Sequence, residues 1–343
     1  MSDMDFGHVP LVKVTRGDAV ESVHYGAIVV ADARGAVLFH VGSPETTTFL
    51  RSAAKPFQVL PILSSGAADH FGFTSKELAV IIASHNGEKM HLDAVRAILK
   101  KVPLKESDLQ CGAHAPYYRP AASALAKSGK SPSVLHNNCS GKHAGMLALS
   151  KFWKAPLGSY LAPSHPVQKA VLRVLSQYCN VSEAAILGGV DGCSAPTFAL
   201  SLRQAAQGYA RLMDPRFGSR ADQNAAGRAV SAMRRYPEMV GGTGRLDNAL
   251  MRAVGKSFIA KIGAEGFYGL AYRDQGKGIG IALKIADGNG DRARATATVE
   301  LLVQLGLLGK GKAARLLGSQ GLPQVHNVRG KSVGRVAGLF HIT

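Results

Sequence analysis

Ser52 and Lys55 lie three residues apart in the hexapeptide Arg51-Ser52-Ala53-Ala54-Lys55-Pro56. On a helical turn that spacing puts both side chains on one face, within reach of each other. A serine hydroxyl becomes a nucleophile when a neighbouring base takes its proton. Lysine can be that base once burial or the positive end of a helix depresses its pKa. The chemistry this permits is acyl transfer, which also needs N–H groups facing the developing oxyanion and a group that protonates the leaving amine. Ser84, in the loop Ser84-His85-Asn86-Gly87-Glu88, could relay that proton with a second lysine. A Ser-x-x-Lys tetrad alone also describes a capped helix followed by a surface lysine, so the rest of the chain has to decide.

Two further clusters are rich in reactive groups. The run from His136 to Met146 contains Asn137, Asn138, Cys139, Ser140, Lys142 and His143 and opens a helix. Asn138 or Ser140 could cap that helix, and its free N–H groups could hold an anion or oxyanion. Cys139 could itself be a nucleophile, its thiolate favoured by the helix start and by Lys142 or His143. Cys139-x-x-x-His143 also has metal-ligand spacing, with Cys193 as a second thiol. Cys193 lies in Gly188-Gly189-Val190-Asp191-Gly192-Cys193, whose glycines let backbone approach a ligand. Cys111 and Cys179 read as small buried apolar residues.

The elements that must position these groups follow from periodicity. Residues 9–15 and 24–42 read as strands, the latter folding back at Asp32-Ala33-Arg34-Gly35. Pro56 is tolerated only in a first helical turn, so a helix should begin close to Ser52. Helices are expected over 76–84, 90–101, from the His136–Met146 run to about Trp153, 164–178, 197–215, 220–235 and 291–308, with a short strand at 182–186. Residues 256–286 read as a hairpin in which the strand opened by Lys261 pairs with GKGIGIALKIADG, and a last strand falls near 332–340. Strands at both ends with helices between, over about 56–255, predict an α+β fold. We expect a single catalytic domain spanning 1–343, its terminal strands sharing one sheet.

Composition narrows the function. The net charge of +18 invites a nucleic-acid reading, but the 41 Lys and Arg are mostly dispersed and no nucleic-acid motif accompanies them. A solvated basic surface that attracts small anionic substrates fits better. The four cysteines are expected to be free thiols in a reducing cytoplasm. The opening MSDMDFGHVP has neither a basic start nor an apolar run, and no apolar stretch is long enough for a membrane span.

Six blocks in order, RSAAKPFQ, ASHNGE, NNCSGKHAGM, GGVDGCSAP, GGTGRLDNALM and KIGAEGFYGLA, resemble those of the Rhizobium etli-type L-asparaginases over nearly the whole chain. The resemblance implies a fold similar to serine β-lactamases and glutaminases, a central mostly antiparallel sheet flanked by helices, and a homodimer. It implies two serine–lysine pairs, Ser52 with Lys55 and Ser84 with Lys261. It also implies one zinc ion on Cys139, Lys142 and Cys193 that tunes substrate affinity and does not activate water. Asp191 matches a substrate-site acid. Asp247 stands where some members carry a cysteine.

The function implied is hydrolysis of L-asparagine to L-aspartate and ammonia through an acyl-enzyme. Asp191 would pair the substrate ammonium and Arg51 its carboxylate, with His85 a further substrate contact. Either Ser52 or Ser84 could form the acyl-enzyme. The competing readings are another Ser-Lys amidohydrolase, a glutaminase or a β-lactamase-like enzyme. No Lys-Thr-Gly strand motif supports the last of these. The remaining alternative is a basic nucleic-acid binder. Neither nucleic acid nor membrane is expected as a partner.

Overall fold

A computed structural model describes residues 7–290 and 292–342. The first six residues of the opening stretch MSDMDFGHVP lie outside the described residues. Eleven strands are numbered in chain order. They are β1 Val9–Arg16, β2 Ala19–Asp32, β3 Val37–Val41, β4 Thr47–Phe49, β5 Leu187–Val190, β6 Pro196–Ser201, β7 Phe258–Ile262, β8 Phe267–Asp274, β9 Lys277–Ile285, β10 Gln324–His326 and β11 Ser332–Gly338.

The fold is α+β. The main sheet is eight-stranded, in the order β10-β11-β1-β2-β9-β8-β7, with β3 pairing on β2. Its ladders are antiparallel. Strands from the two ends of the chain meet where β2 pairs β9, Val29 opposite Ala282. A three-stranded sheet, β4-β6-β5, stands apart. Helices cover the main sheet, as an antiparallel sheet with buried faces requires.

The helix Leu202–Met213 lies directly on this sheet. Three strand glycines make the close approach possible. A Cβ on Gly280 would stand 1.9 Å from Ala206 O, one on Gly278 2.0 Å from Ala210 O, and one on Gly269 2.1 Å from the Tyr209 ring. Tyr209 passes over that gap, and its hydroxyl donates to Ala53 O at 2.7 Å. Sheet packing and the Ser52 turn are thus joined by one side chain.

Three local expectations are corrected. Residues 182–186 contain a 3₁₀ turn, Glu183–Ala185, and the strand comes later as β5. The helix expected from 197 begins at Leu202, because Pro196–Ser201 is drawn into β6 between β4 and β5. The run PTFALS is buried throughout, and a short apolar run cannot be separated into strand or helix by periodicity. Residues 258–285 form a meander of three strands, not a single hairpin.

Candidate active site

Arg51–Ala54 form a 3₁₀ turn that passes into the short helix Lys55–Gln58, with Pro56 in its first turn. Arg51 takes a left-handed φ of 49°, a conformation that costs a non-glycine residue energy unless its surroundings hold it. They do hold it. Leu50 N–H donates to Phe198 O at 2.9 Å, and the Arg51 guanidinium donates to Asp191 Oδ1 at 2.8 Å. On the far side, a Cβ on Gly263 would stand 2.6 Å from Leu50 O, so the residue after β7 must be small.

The helix Ser140–Phe152 runs through the interior, and a Cβ on Gly141 would stand 2.1 Å from Val80 O. That approach presses it against the helix Ser75–Ile82, whose capping box, Thr74 with Glu77, fixes its start. The chain leaves this second helix at Ala83 and places Ser84 in the core. Ser84 N–H donates to Val240 O at 2.9 Å and His85 N–H to Asn138 O at 3.2 Å.

The two serines have different surroundings. Ser84 is 2 % exposed and lies between both lysines. Lys55 Nζ donates to Ser84 Oγ at 3.0 Å and to Ala83 O at 2.7 Å. Lys261 Nζ is 2.9 Å from the same Oγ and donates to Ile262 O at 3.1 Å. Ser52 is half-buried, and its hydroxyl has no hydrogen-bond partner among the described residues. The structure therefore joins Lys55 to Ser84, where the tetrad had suggested Ser52 as its first partner.

Lys261, on β7, is fully buried, and that burial lowers its pKa to about 7; Asp247 opposes the shift and Lys55 adds to it. Asp247 Oδ2 is 3.8 Å from Lys261 Nζ. The carboxylate is 1 % exposed and neither oxygen has a hydrogen-bond partner among the described residues. Burial and this neighbouring carboxylate push the Tyr268 hydroxyl well above its usual range. A lysine near neutrality beside a serine hydroxyl can exchange protons with it at physiological pH.

Cys139, Lys142 and Cys193 converge. Lys142 Nζ donates to Cys193 Sγ at 3.0 Å, and Cys193, with Lys55 and Lys142 nearby, holds the Cys139 thiol below its ordinary pKa against the effect of burial. Burial disfavours the charge on Lys142, but the two sulfur atoms and Asp191 outweigh it and hold the amine protonated. Asp191 is drawn into the same network. Burial would raise its pKa, yet Lys142, Arg51 and the Gly192 N–H together lower it. Among the described residues no group of three His, Cys, Asp or Glu could hold a metal, so an ion here needs the Lys142 amine. Two thiols and an amine meeting in one buried spot fit zinc as a donor set.

The other expected contacts fall as follows. Arg51 and Asp191 are brought together, as an ion pair with each other. His85 is fully buried: Gly87 N–H donates to its Nδ1 at 3.1 Å, which leaves Nε2–H to donate to Ser140 Oγ at 2.9 Å. Burial, with His91 and Lys55 nearby, keeps the ring neutral. Neither Asn138 nor Ser140 caps its helix; the N-cap is Cys139, and Ser140 Oγ donates inward to Leu135 O at 3.0 Å.

Two features were missed from sequence. Asn86 ties the Ser84 loop to the glycine-rich loop, its Nδ2 donating to Thr243 O at 3.0 Å. Lys261-Ile262-Gly263, at the end of β7, stands where the missing Lys-Thr-Gly was sought. Ser52-x-x-Lys55, Ser84-x-Asn86 and Lys261-x-Gly263 together follow the three-motif pattern of serine–lysine acyl-transfer enzymes. Reading the third motif with its middle position free would have found it.

The class these features define is a serine–lysine amidohydrolase. The chain belongs to the L-asparaginase II family, whose sequence model matches residues 12–337. No curated protein sequence matches it. Among solved structures, a Bacillus glutaminase crystallised in 4.3 M NaCl is 13% identical, covering 82% of this chain and 91% of its own, with a TM-score of 0.40. Mglu in its tris and glutamate form is 14% identical over 82% of this chain and 59% of its own, at a TM-score of 0.38. These superpositions are loose, and the family assignment rests on the sequence model. Among the described residues no helix is long and apolar enough to cross a membrane.

Proposed function

We propose that the chain is an L-asparaginase of the Rhizobium etli type, with Ser52 as nucleophile and Ser84 as a proton relay between Lys55 and Lys261. The observation that carries this reading is Ser84 Oγ held at 3.0 and 2.9 Å from two buried amines, while the half-buried Ser52 is the serine a substrate can reach. Lys55 Nζ is held by Ala83 O and Ser84 Oγ, and it is the amine that would take up the Ser52 proton. As Ser52 Oγ bonds to the amide carbon, its proton passes to Lys55. Lys55 gives one to Ser84 Oγ, and Ser84 gives its own to Lys261. The reverse transfer protonates the amide nitrogen as its C–N bond breaks, so that ammonia leaves, and water then releases aspartate from the acyl-enzyme. The Arg51–Asp191 pair suits an α-amino acid zwitterion, carboxylate to Arg51 and ammonium to Asp191.

Cys139, Lys142 and Cys193 would hold one zinc per chain, which supplies a positive centre close to Asp191. Binding it requires loss of the Lys142 proton and of the thiol proton. A homodimer is part of the same reading, and exposed Leu187 and Val190 on β5 offer an apolar surface for one. The test is ammonia release from L-asparagine and L-glutamine by wild type, Ser52→Ala and Ser84→Ala. Asparagine hydrolysis lost in Ser52→Ala supports the assignment. Acyl-enzyme formation that persists in Ser52→Ala moves the nucleophile to Ser84, and preference for glutamine makes the enzyme a glutaminase.

A further inference from the structure

A cleft of about 400 Å3 is lined by Arg234, Arg235, Arg252 and Lys256 with the Ser231 hydroxyl, and none of these belongs to the serine–lysine cluster. Four cations therefore face one concavity. Glu238 answers one of them, as the ion-pair partner of Arg252. Arg235 stacks its guanidinium over Tyr236 at 5.6 Å. Arg234 Nε is buried without a hydrogen-bond partner among the described residues, and buried N–H donors are almost always satisfied.

Helix electrostatics accounts for part of this. Arg234 and Arg235 end the helix Arg220–Arg235, where cations complement the carbonyl end of the dipole. That explains neither the orphaned Nε–H nor the arrival of Arg252 and Lys256 from another segment at the same cleft. Oxyanions resolve both, because guanidinium forks match phosphate oxygens in geometry and charge. The volume lies in the range of small-molecule sites, whereas a zwitterionic amide substrate has no net charge and a single carboxylate to set against three unanswered cations.

We propose that this cleft binds a multiply charged phosphate anion, of the pyrophosphate or nucleoside polyphosphate class, apart from the amide substrate. Its occupancy is read by binding alone and stands whether or not the chain hydrolyses asparagine. The experiment is calorimetric titration of the full chain at fixed ionic strength with pyrophosphate, ATP and adenosine. Pyrophosphate and ATP are expected to bind one per chain and to compete, while adenosine does not bind. Equal affinities assign the site to the phosphates alone, and tighter ATP adds contacts to the nucleoside; both outcomes uphold the proposal. Arg235 and Lys256 are exposed, so Arg235→Glu/Lys256→Glu should fold and weaken pyrophosphate by at least about tenfold through like-charge repulsion. Pyrophosphate binding no tighter than that of sulfate, or unchanged in the double variant, overturns it. Displacement of pyrophosphate by duplex DNA with a steep salt dependence also overturns it, assigning the cations to nucleic acid.

Discussion

Asp247→Asn is the sharpest test of the proton relay. Asp247 stands 3.8 Å from Lys261 Nζ and favours the charged amine, so it holds the lysine's pKa up against burial. With an effective dielectric of 20, a full charge at that distance is worth about 4 kcal/mol, or about 3 pH units, as a ceiling. Asparagine keeps the shape and removes the charge. If Lys261 must be neutral to accept the Ser84 proton, wild-type kcat/KM falls as pH drops through about 7, where the amine protonates. In the variant the amine loses its proton at lower pH, so the acid limb moves down by at least about one unit. The assay is kcat/KM for ammonia release from pH 5 to 9, with thermal melting at each pH to exclude unfolding. A limb that stays near 7, or moves upward, refutes Lys261 as the titrating base.

Three further outcomes are expected. Arg51→Lys and Asp191→Asn each weaken a charge-assisted contact to the zwitterion and should raise KM by about tenfold or more, with a smaller effect on kcat. Cys193→Ser should abolish stoichiometric zinc, measured by elemental analysis of protein purified in limiting zinc; zinc retained at one per chain would place the ion elsewhere. Gly280→Ala puts a methyl 1.9 Å from Ala206 O and should cost about 2 kcal/mol or more by overpacking, seen as a lowered melting midpoint.

The fold was legible wherever one periodic pattern had one partner. The β2–β3 hairpin, the helix expected over 76–84 and the last strand follow from alternation, apolar runs and turn chemistry alone. β6 was not, because its strand state depends on β4 and β5, the latter more than 130 residues along the chain from the former. At the site, spacing pointed to Ser52 and Lys55, but the 3.0 Å contact runs from Lys55 to Ser84. Such a pairing across 29 residues is set by how two helices pack, on which local spacing is silent. Asp247 likewise drew notice as a departure from the resembled family, yet its place beside Lys261 emerges only when β7 and the helix Leu246–Val254 are adjacent. Buried residues such as His85 look functional in sequence because polarity there has two causes, chemistry and internal hydrogen bonding.

The anchoring of the Ser52 turn also bears on how the chain matures. Its supports come from Phe198, Tyr209 and Gly263, all far downstream. On a ribosome the turn is synthesised early and waits unsupported while more than half of the chain is made. Long-range closures of this kind are slow and leave apolar surface uncovered meanwhile. Asp191 and Phe198 can hold Arg51 only once the middle of the chain is made, and Lys261 and Gly263 arrive later still with the β7–β9 meander, so catalytic competence should arrive late. Nascent chains released before β7 emerges would carry Ser52, Lys55 and Ser84 without Lys261 and without an organised site.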